Sequence, residues 1–136
     1  MDEVRLARGV AAEILNHARS NPEEECCGLL AGRRGVIAQA YPARNAAQHL
    51  ATAYEIAPKE LFHIMREIRA AGLELLGIYH SHPKGDNQPS PRDLERAYYP
   101  DAAYFILSSR ADAPEPIRAY SIRDGRWTQL EIKIQN

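Results

Sequence analysis

The spacing of apolar residues predicts two amphipathic helices. Near the N-terminus, apolar side chains recur at helical spacing, so one helix is expected over residues 3–19. A second helix is expected to begin at Pro58, which suits a first helical turn, and to stop at Gly72. The apolar faces are formed by Leu6, Val10 and Ile14 in the first helix and by Leu61, Ile64, Met65 and Ile68 in the second.

Shorter apolar runs predict strands. "CCGLLAG" and "VIAQAYP", joined by the turn "GRRG", are expected to form a hairpin. "LELLGIY" and "AAYFILS" are almost continuously apolar, which is typical of strands buried on both faces.

Three further segments complete the pattern. "AYEIA" is a candidate short strand, and "SPRDLERAYY" predicts a short helix. The run "PIRAYSIRDGRWTQLEIKI" predicts a hairpin, with Asp124 and Gly125 at a type I′ turn. Hairpins mixed with helical crossovers indicate an α/β fold with a mixed sheet and helices packed on it. No repeat or linker is visible, so a single domain over residues 1–136 is expected.

Composition narrows the classes of function. The chain has 17 basic and 18 acidic residues and a net charge of −1, which gives no general electrostatic reason to expect nucleic-acid binding. No apolar run approaches the roughly 18 residues of a membrane span. Cys26 and Cys27 are adjacent and cannot cross-link distant segments, and the N-terminus does not resemble a secretory signal, so a cytoplasmic location is expected.

The stretch "HSHPKGDNQPSPRD" holds the main candidate chemistry. Residues two apart on an extended backbone point the same way, so His80 and His82 are expected to face one side just past a buried strand. Asp93 completes a metal-ligand set if the loop folds back. Two histidines and one aspartate leave the fourth tetrahedral position of Zn²⁺ open, as in catalytic zinc sites.

A simpler interpretation of the same stretch is a polar loop followed by a helix start. Ser90 suits the N-cap, Pro91 the first helical position and Asp93 the third. This alternative leaves His80 and His82 unexplained. The two interpretations are compatible, because a capping serine accepts a hydrogen bond through its oxygen and keeps its own proton free to donate.

The other reactive residues carry weaker signals. His17 and His63 are expected to be surface histidines on the two helices, and His49 lies in an irregular stretch where no pattern assigns it a role. The run Glu23, Glu24, Glu25 by itself predicts a solvated charge cluster. Cys26 and Cys27 are expected to be small core residues rather than nucleophiles.

Taken together, these motifs resemble those of the JAMM (MPN+) zinc metalloprotease family. The stretch matches the family signature of His-x-His-Pro, six residues, Ser, two residues, Asp. The family also places a glutamate three residues before a glycine on a strand, and in "EEECCGLLAG" the spacing to Gly28 selects Glu25. The similarity in element order spans nearly the whole chain, and it implies a cytidine-deaminase-like fold.

The resemblance implies a role for each residue. His80, His82 and Asp93 would bind one Zn²⁺ per chain, Glu25 would act as the general base, and Ser90 would donate a hydrogen bond to the tetrahedral oxyanion. Family members cleave amide bonds at the C-terminal tails of ubiquitin-like proteins. The compact prokaryotic type is linked to sulfur-carrier proteins ending in Gly-Gly, so such a carrier is the expected partner.

Two other classes of function require different motifs. A non-catalytic MPN-type interaction module with a structural zinc remains the alternative, although its relatives usually lack the ligands that His80, His82 and Asp93 supply. A zinc deaminase would require H-x-E in a zinc-binding context together with P-C-x-x-C, and the sequence has neither.

Overall fold

A computed structural model describes residues 1–83 and 85–136. In chain order the elements are β1 Glu3–Ala7, α1 Arg8–Ser20, β2 Cys27–Arg33, β3 Val36–Ala43, α2 Pro58–Ala70, β4 Glu74–His82, α3 Pro91–Glu95, β5 Ala103–Ser108, β6 Ile117–Arg123 and β7 Arg126–Gln135. None of the helices in this described part combines the length and apolar character that crossing a membrane requires.

The strands form one mixed sheet that closes on itself in the order β1-β3-β2-β4-β5-β6-β7, with β7 returning to β1. Strands joined by tight turns pair antiparallel, whereas β4 pairs parallel with β5, and β1 pairs parallel with both β3 and β7. The predicted α/β class with a mixed sheet is confirmed.

The N-terminal segment corrects the predicted helix over residues 3–19. The helix begins at Arg8, and Glu3–Ala7 is a strand. Val4 and Leu6 are buried while the residues beside them are more exposed, as on a half-buried strand. The segment pairs with β7 at five positions, from Glu3 to Ala7. Leu6 fits a helical spacing with Val10 as well as a strand alternation with Val4, and long-range pairing decides between them.

Most other elements agree with the sequence pattern. Both predicted hairpins form, and their turns place Arg34-Gly35 and Asp124-Gly125 at positive φ, as type I′ geometry requires. Pro58 opens α2 as predicted, and Gly72 has a φ of 72° just after it. The candidate strand "AYEIA" is irregular, and the third helix ends at Glu95, well before the end of the predicted segment.

Helices α1 and α2 cover opposite faces of the sheet. Ile14 of α1 packs in a cluster with Tyr79, and Ile64 of α2 packs in a second cluster with Ile78. Strand β4 is therefore buried on both faces, as its apolar run predicts. Because side chains alternate along a strand, His80 lies on the α2 side with Ile78.

Candidate metal site

The two histidines lie at the C-terminal end of β4. His80 and His82 belong to the strand itself rather than to the loop after it, which corrects their predicted position. Their side chains face the same side, as expected. Their Nε2 atoms are 3.2 Å apart. His80 is fully enclosed with 1% of its surface exposed, and His82 is partly buried.

Helix α3 brings Asp93 against both histidines. Oδ1 of Asp93 lies 3.1 Å from Nε2 of His80, and Oδ2 lies 3.1 Å from Nε2 of His82. The same carboxylate forms a capping box with Ser90. The Ser90 backbone N–H donates to Oδ2 at 2.9 Å, and the Asp93 N–H donates to the Ser90 hydroxyl at 3.1 Å. The predicted helix cap is confirmed, and the cap itself presents the carboxylate to the histidines.

The chemistry and spacing of this donor set fit a tetrahedral metal ion. Ligand atoms about 2.0–2.1 Å from a tetrahedral zinc lie about 3.3 Å from one another. The contacts among His80, His82 and Asp93 are 3.1–3.2 Å. Two imidazole nitrogens and a carboxylate converging at this distance suit a shared cation, toward which all three can direct lone pairs.

The imidazole of His82 is fixed by a hydrogen bond from its other ring nitrogen. Nδ1 of His82 is 2.9 Å from the backbone carbonyl of Asp86. Since a carbonyl only accepts, Nδ1 carries a hydrogen, and Nε2 of the neutral ring presents its lone pair to the site. His80 is oriented by packing, because the Tyr54 ring stacks on it with centroids 4.4 Å apart and planes at 19°. Nδ1 of His80 has no hydrogen-bond partner among the described residues.

Glu25 lies next to the histidines from a distant part of the sequence. Its carboxylate and the ring nitrogens of His80 and His82 all lie within 4.8 Å of one another. Two carboxylates therefore compete for the place of third ligand. Nε2 of each histidine lies 3.1 Å from an oxygen of Asp93, and within the described residues neither histidine makes so close a contact with Glu25. Asp93 therefore makes the closer contacts with the two histidines, and Glu25 lies beside them, within 4.8 Å.

Backbone contacts hold Glu25 in this position. Its N–H donates to the Leu50 carbonyl at 2.7 Å, and its carbonyl accepts the Asn45 side-chain amide at 2.9 Å. Glu25 has 6% of its surface exposed, whereas Glu23 and Glu24 are solvated. The predicted solvated cluster is therefore correct for two of its three members.

The glycine that selects Glu25 in the motif has a packing reason. Gly28 is paired with Tyr79 of β4, and the tyrosine ring lies over it. A Cβ atom at position 28 would come within 2.5 Å of that ring and 2.6 Å of the Tyr41 carbonyl. The glycine thus allows β2 to lie close to its neighbours, and this pairing brings the residue three positions earlier beside His80.

Burial and hydrogen bonding set the protonation of the cluster. Burial raises the pKa of Glu25 to about 7, with the nearby His82 acting in the opposite direction. Burial lowers the pKa of His80, which favours the neutral, ligating form. Burial alone would raise the pKa of Asp93, but the contacts of its carboxylate with the imidazoles of His80 and His82 outweigh burial and hold that pKa well below its usual range.

Several residues that contribute to the site carry no motif signal. Asn45, Tyr54 and Asp86 belong to irregular segments, where no periodic pattern indicates which groups they meet. The direction of the Ser81 side chain could be predicted from the sequence, because the residue between two histidines on a strand must point to the opposite face. Its hydroxyl accepts the Cys26 N–H at 2.9 Å.

The remaining candidates lie outside the cluster. His17 is half-buried and its Nδ1 lies 2.8 Å from the Tyr79 hydroxyl, so its predicted surface position is wrong. His63 is exposed and pairs with Glu67, and His49 lies exposed in a loop. Cys26 and Cys27 are buried in the clusters on opposite faces of the sheet, as expected of core residues.

Three of the curated proteins similar to this chain come from archaea and bacteria. A desampylase of Haloferax volcanii is 40% identical over 109 residues, which cover 76% of this chain and 78% of that protein. A probable TtuB-protein conjugate cleaving protease of Thermus thermophilus is 34% identical and covers 93% and 81%. A CysO-cysteine peptidase of Mycobacterium tuberculosis is 31% identical and covers 92% and 89%.

Solved structures agree in fold. A protein from Desulfitobacterium hafniense superposes with a TM-score of 0.86 at 29% identity, covering 98% of this chain and 93% of the other. A JAB1/MPN domain protein from Archaeoglobus fulgidus gives a TM-score of 0.64 at 20% identity and covers 98% and 100%. Residues 7–123 match the family described as prokaryotic homologs of the JAB domain, and the chain belongs to this prokaryotic JAB (JAMM/MPN) family.

Proposed function

We propose that this protein is a zinc-dependent peptidase that hydrolyses an amide bond at the C-terminal Gly-Gly tail of a ubiquitin-like sulfur-carrier protein. The convergence of His80, His82 and Asp93, with Glu25 beside them, is the observation that carries this proposal. The named activities of the three relatives supply the class of substrate, since each concerns a protein conjugate or a carrier-linked amino acid.

His80, His82 and Asp93 would hold the zinc ion, one per chain. A zinc ion at such a site supplies Lewis acidity, which lowers the pKa of a water molecule and polarises the scissile carbonyl. The lowered pKa of His80 and the Nδ1–H tautomer of His82 keep two nitrogen lone pairs available for binding. Burial alone would lower the pKa of His82, but its hydrogen bonds to Asp93 and to the Asp86 carbonyl outweigh burial and raise that pKa, so a proton would compete with zinc for the lone pair on Nε2 as the pH falls.

Glu25 would move the proton of the reaction. Its carboxylate takes a proton from the attacking water as the water oxygen bonds to the carbonyl carbon, and passes it to the leaving nitrogen as the C–N bond breaks. The products are a carboxylate at the carrier tail and a free amine. A pKa near 7 suits both directions of this transfer, because the group is neither too weak a base nor too weak an acid near neutral pH.

Ser90 would stabilise the oxyanion. Its hydroxyl oxygen accepts the Asp93 N–H, so its own hydrogen remains available to a developing negative charge. Loss of one such donor typically costs about 10²–10³ in turnover. The helix cap and the oxyanion donor are then two functions of one hydroxyl group.

Residues 1–136 are proposed to act as a single domain, since one closed sheet joins β1 near the N-terminus to β7 near the C-terminus. A cytoplasmic location is proposed on the ground that Cys26 and Cys27 are free, buried thiols, which suit a reducing compartment.

The decisive experiment combines elemental analysis with hydrolysis of a carrier whose C-terminal Gly-Gly is joined to an amine. Glu25→Gln should keep about one zinc per chain while turnover falls by about 10²–10⁴, the usual contribution of a general base. Glu24→Gln is the matched control, because Glu24 is exposed beside it. Near-wild-type turnover by Glu25→Gln would refute the general-base role. A zinc-loaded wild-type protein that binds carriers without cleaving them would support the non-catalytic module instead.

A further inference from the structure

Asn87 is a buried residue in the connection between β4 and α3. Asn87 has 4% of its surface exposed, although it lies in a connection between two elements. Its side-chain nitrogen donates to the carbonyl of Ile106 at 3.2 Å and to that of Glu115 at 2.8 Å. An amide nitrogen has two hydrogens, so its donor capacity is used completely.

A tyrosine from a different strand holds the backbone of the same residue. The Tyr120 hydroxyl on β6 donates to the Asn87 carbonyl at 2.6 Å, and this tyrosine is fully buried. Asn87 is therefore fixed through both its side chain and its main chain. A loop residue held in this way from β5, β6 and the connection between them has little freedom to shift.

The residue before Asn87 forms the contact that orients His82. The Asp86 carbonyl accepts Nδ1–H of His82 at 2.9 Å, and the carboxylate of Asp86 pairs with Arg118 at 3.0 Å. The Asp86 carbonyl and the Asn87 nitrogen belong to one planar peptide group. Fixing Asn87 therefore fixes the direction in which that carbonyl points.

We propose that Asn87 and Tyr120 are positioning residues for His82. They hold the peptide group between Asp86 and Asn87 so that its carbonyl keeps His82 in the Nδ1–H tautomer, with Nε2 directed at His80 and Asp93. This inference rests on the proposed zinc site and adds the residues that preorganise one of its ligands. Partners that orient a ligating histidine typically change metal affinity or activity by about 10–100-fold.

The test compares two variants with a matched control in the full-length, metal-stripped protein. Tyr120→Phe removes one hydroxyl, and Asn87→Ala removes the anchoring amide. Tyr79→Phe is the control, because Tyr79 is equally buried and also loses one hydrogen bond, to His17 on the other face of the sheet. Thermal unfolding should show lowered stability in the Tyr120 and Tyr79 variants alike.

Zinc affinity, measured by competition with a chromogenic chelator, should distinguish the Tyr120 and Asn87 variants from the Tyr79 control. Tyr120→Phe and Asn87→Ala should bind zinc about tenfold or more weakly than the wild type, and Tyr79→Phe within about twofold of it. A second readout is the ¹⁵N NMR spectrum of the neutral His82 ring in the metal-free protein. The wild type should show the Nδ1–H tautomer, and the two variants a mixture of tautomers.

The possible results distinguish a failure of the positioning role from a failure of the proposed zinc-dependent function. Wild-type zinc affinity and an unchanged His82 tautomer in Tyr120→Phe would overturn the positioning role while leaving the zinc site intact. This variant decides the question even if Asn87→Ala does not fold. A wild-type protein that binds no zinc would overturn the proposed function, and a pure Nδ1–H tautomer in Tyr120→Phe would then overturn the positioning role separately.

Discussion

The hydroxyl oxygen of Ser81 accepts the backbone N–H of Cys26 at 2.9 Å, and the same hydroxyl donates to the Glu24 carbonyl, with 3.4 Å between the two oxygens. Ser81 lies between the two histidines on β4, but its side chain is directed at the segment that carries Glu25. One serine therefore joins the strand of the proposed metal ligands to the backbone on both sides of the proposed base.

Ser81→Ala should impair catalysis more than zinc binding. The substitution leaves the buried N–H of Cys26 without its acceptor, which is expected to lower the free energy of unfolding by about 1–3 kcal/mol. Glu25 would then be less firmly placed, so kcat should fall while zinc content stays near one per chain. Ser20→Ala, which loses an exposed hydroxyl on α1, is the control. A kcat equal to that of the wild type would show that the Ser81 contact does not position Glu25.

Asp93→Asn separates the ligand role of Asp93 from its capping role. The amide oxygen can still accept the Ser90 N–H, so the helix cap is kept. The metal-free protein should still be less stable than the wild type, because it loses the attraction of the carboxylate for the imidazoles of His80 and His82. The negative charge is lost, and zinc affinity should fall by more than the roughly 100-fold upper range for outer-shell partners.

Ser90→Ala changes the helix cap and keeps the proposed ligands, the reverse of Asp93→Asn. It removes the N-cap hydroxyl, which should cost about 1 kcal/mol of stability, and it leaves all three proposed ligands in place. Zinc affinity measured by chelator competition should be nearly unchanged.

If Asp93→Asn instead bound zinc as tightly as the wild type, Glu25 would become the better candidate for the third ligand.

Removal of zinc should lower the melting temperature. A ligand present at 100 times its dissociation constant stabilises the native state by about 2.7 kcal/mol when it does not bind the unfolded chain. For a chain of this length the shift should be roughly 10 °C, measurable by differential scanning calorimetry. Mg²⁺ at the same concentration should have little effect, because it prefers oxygen ligands. Identical melting temperatures with and without zinc would argue against a bound ion.

His17 should make stability fall as the pH drops. Burial lowers the pKa of His17 below its value of 6.5 in the unfolded chain, with Glu13 acting in the opposite direction. Below about pH 6.5 the unfolded chain binds a proton that the folded protein does not, so stability declines and levels off beneath the folded pKa. His17→Gln should flatten this dependence in urea unfolding, and His63→Gln on an exposed helix face should not. Parallel profiles for His17→Gln and the wild type would contradict the assignment.

The sequence by itself determined the local parts of this protein. The helix of residues 58–70, both hairpin turns and the cap formed by Ser90 and Asp93 depend on neighbours a few positions apart. The shared direction of His80 and His82 follows from strand alternation alone. Family resemblance was needed to single out Glu25, because an acidic run shows nothing of which member will be buried.

Only the tertiary structure decided the features that depend on distant pairing. Residues 3–7 form a strand because β7, more than 120 residues away, pairs with them, and this outweighs a helical spacing. Cys27 pairs with His80 across β2 and β4, which brings Glu25 to the histidines. The contacts of Ser81, Asn87 and Tyr120 arise in the same way. Local periodicity reports which face a residue occupies, whereas the identity of its partner depends on how the strands associate.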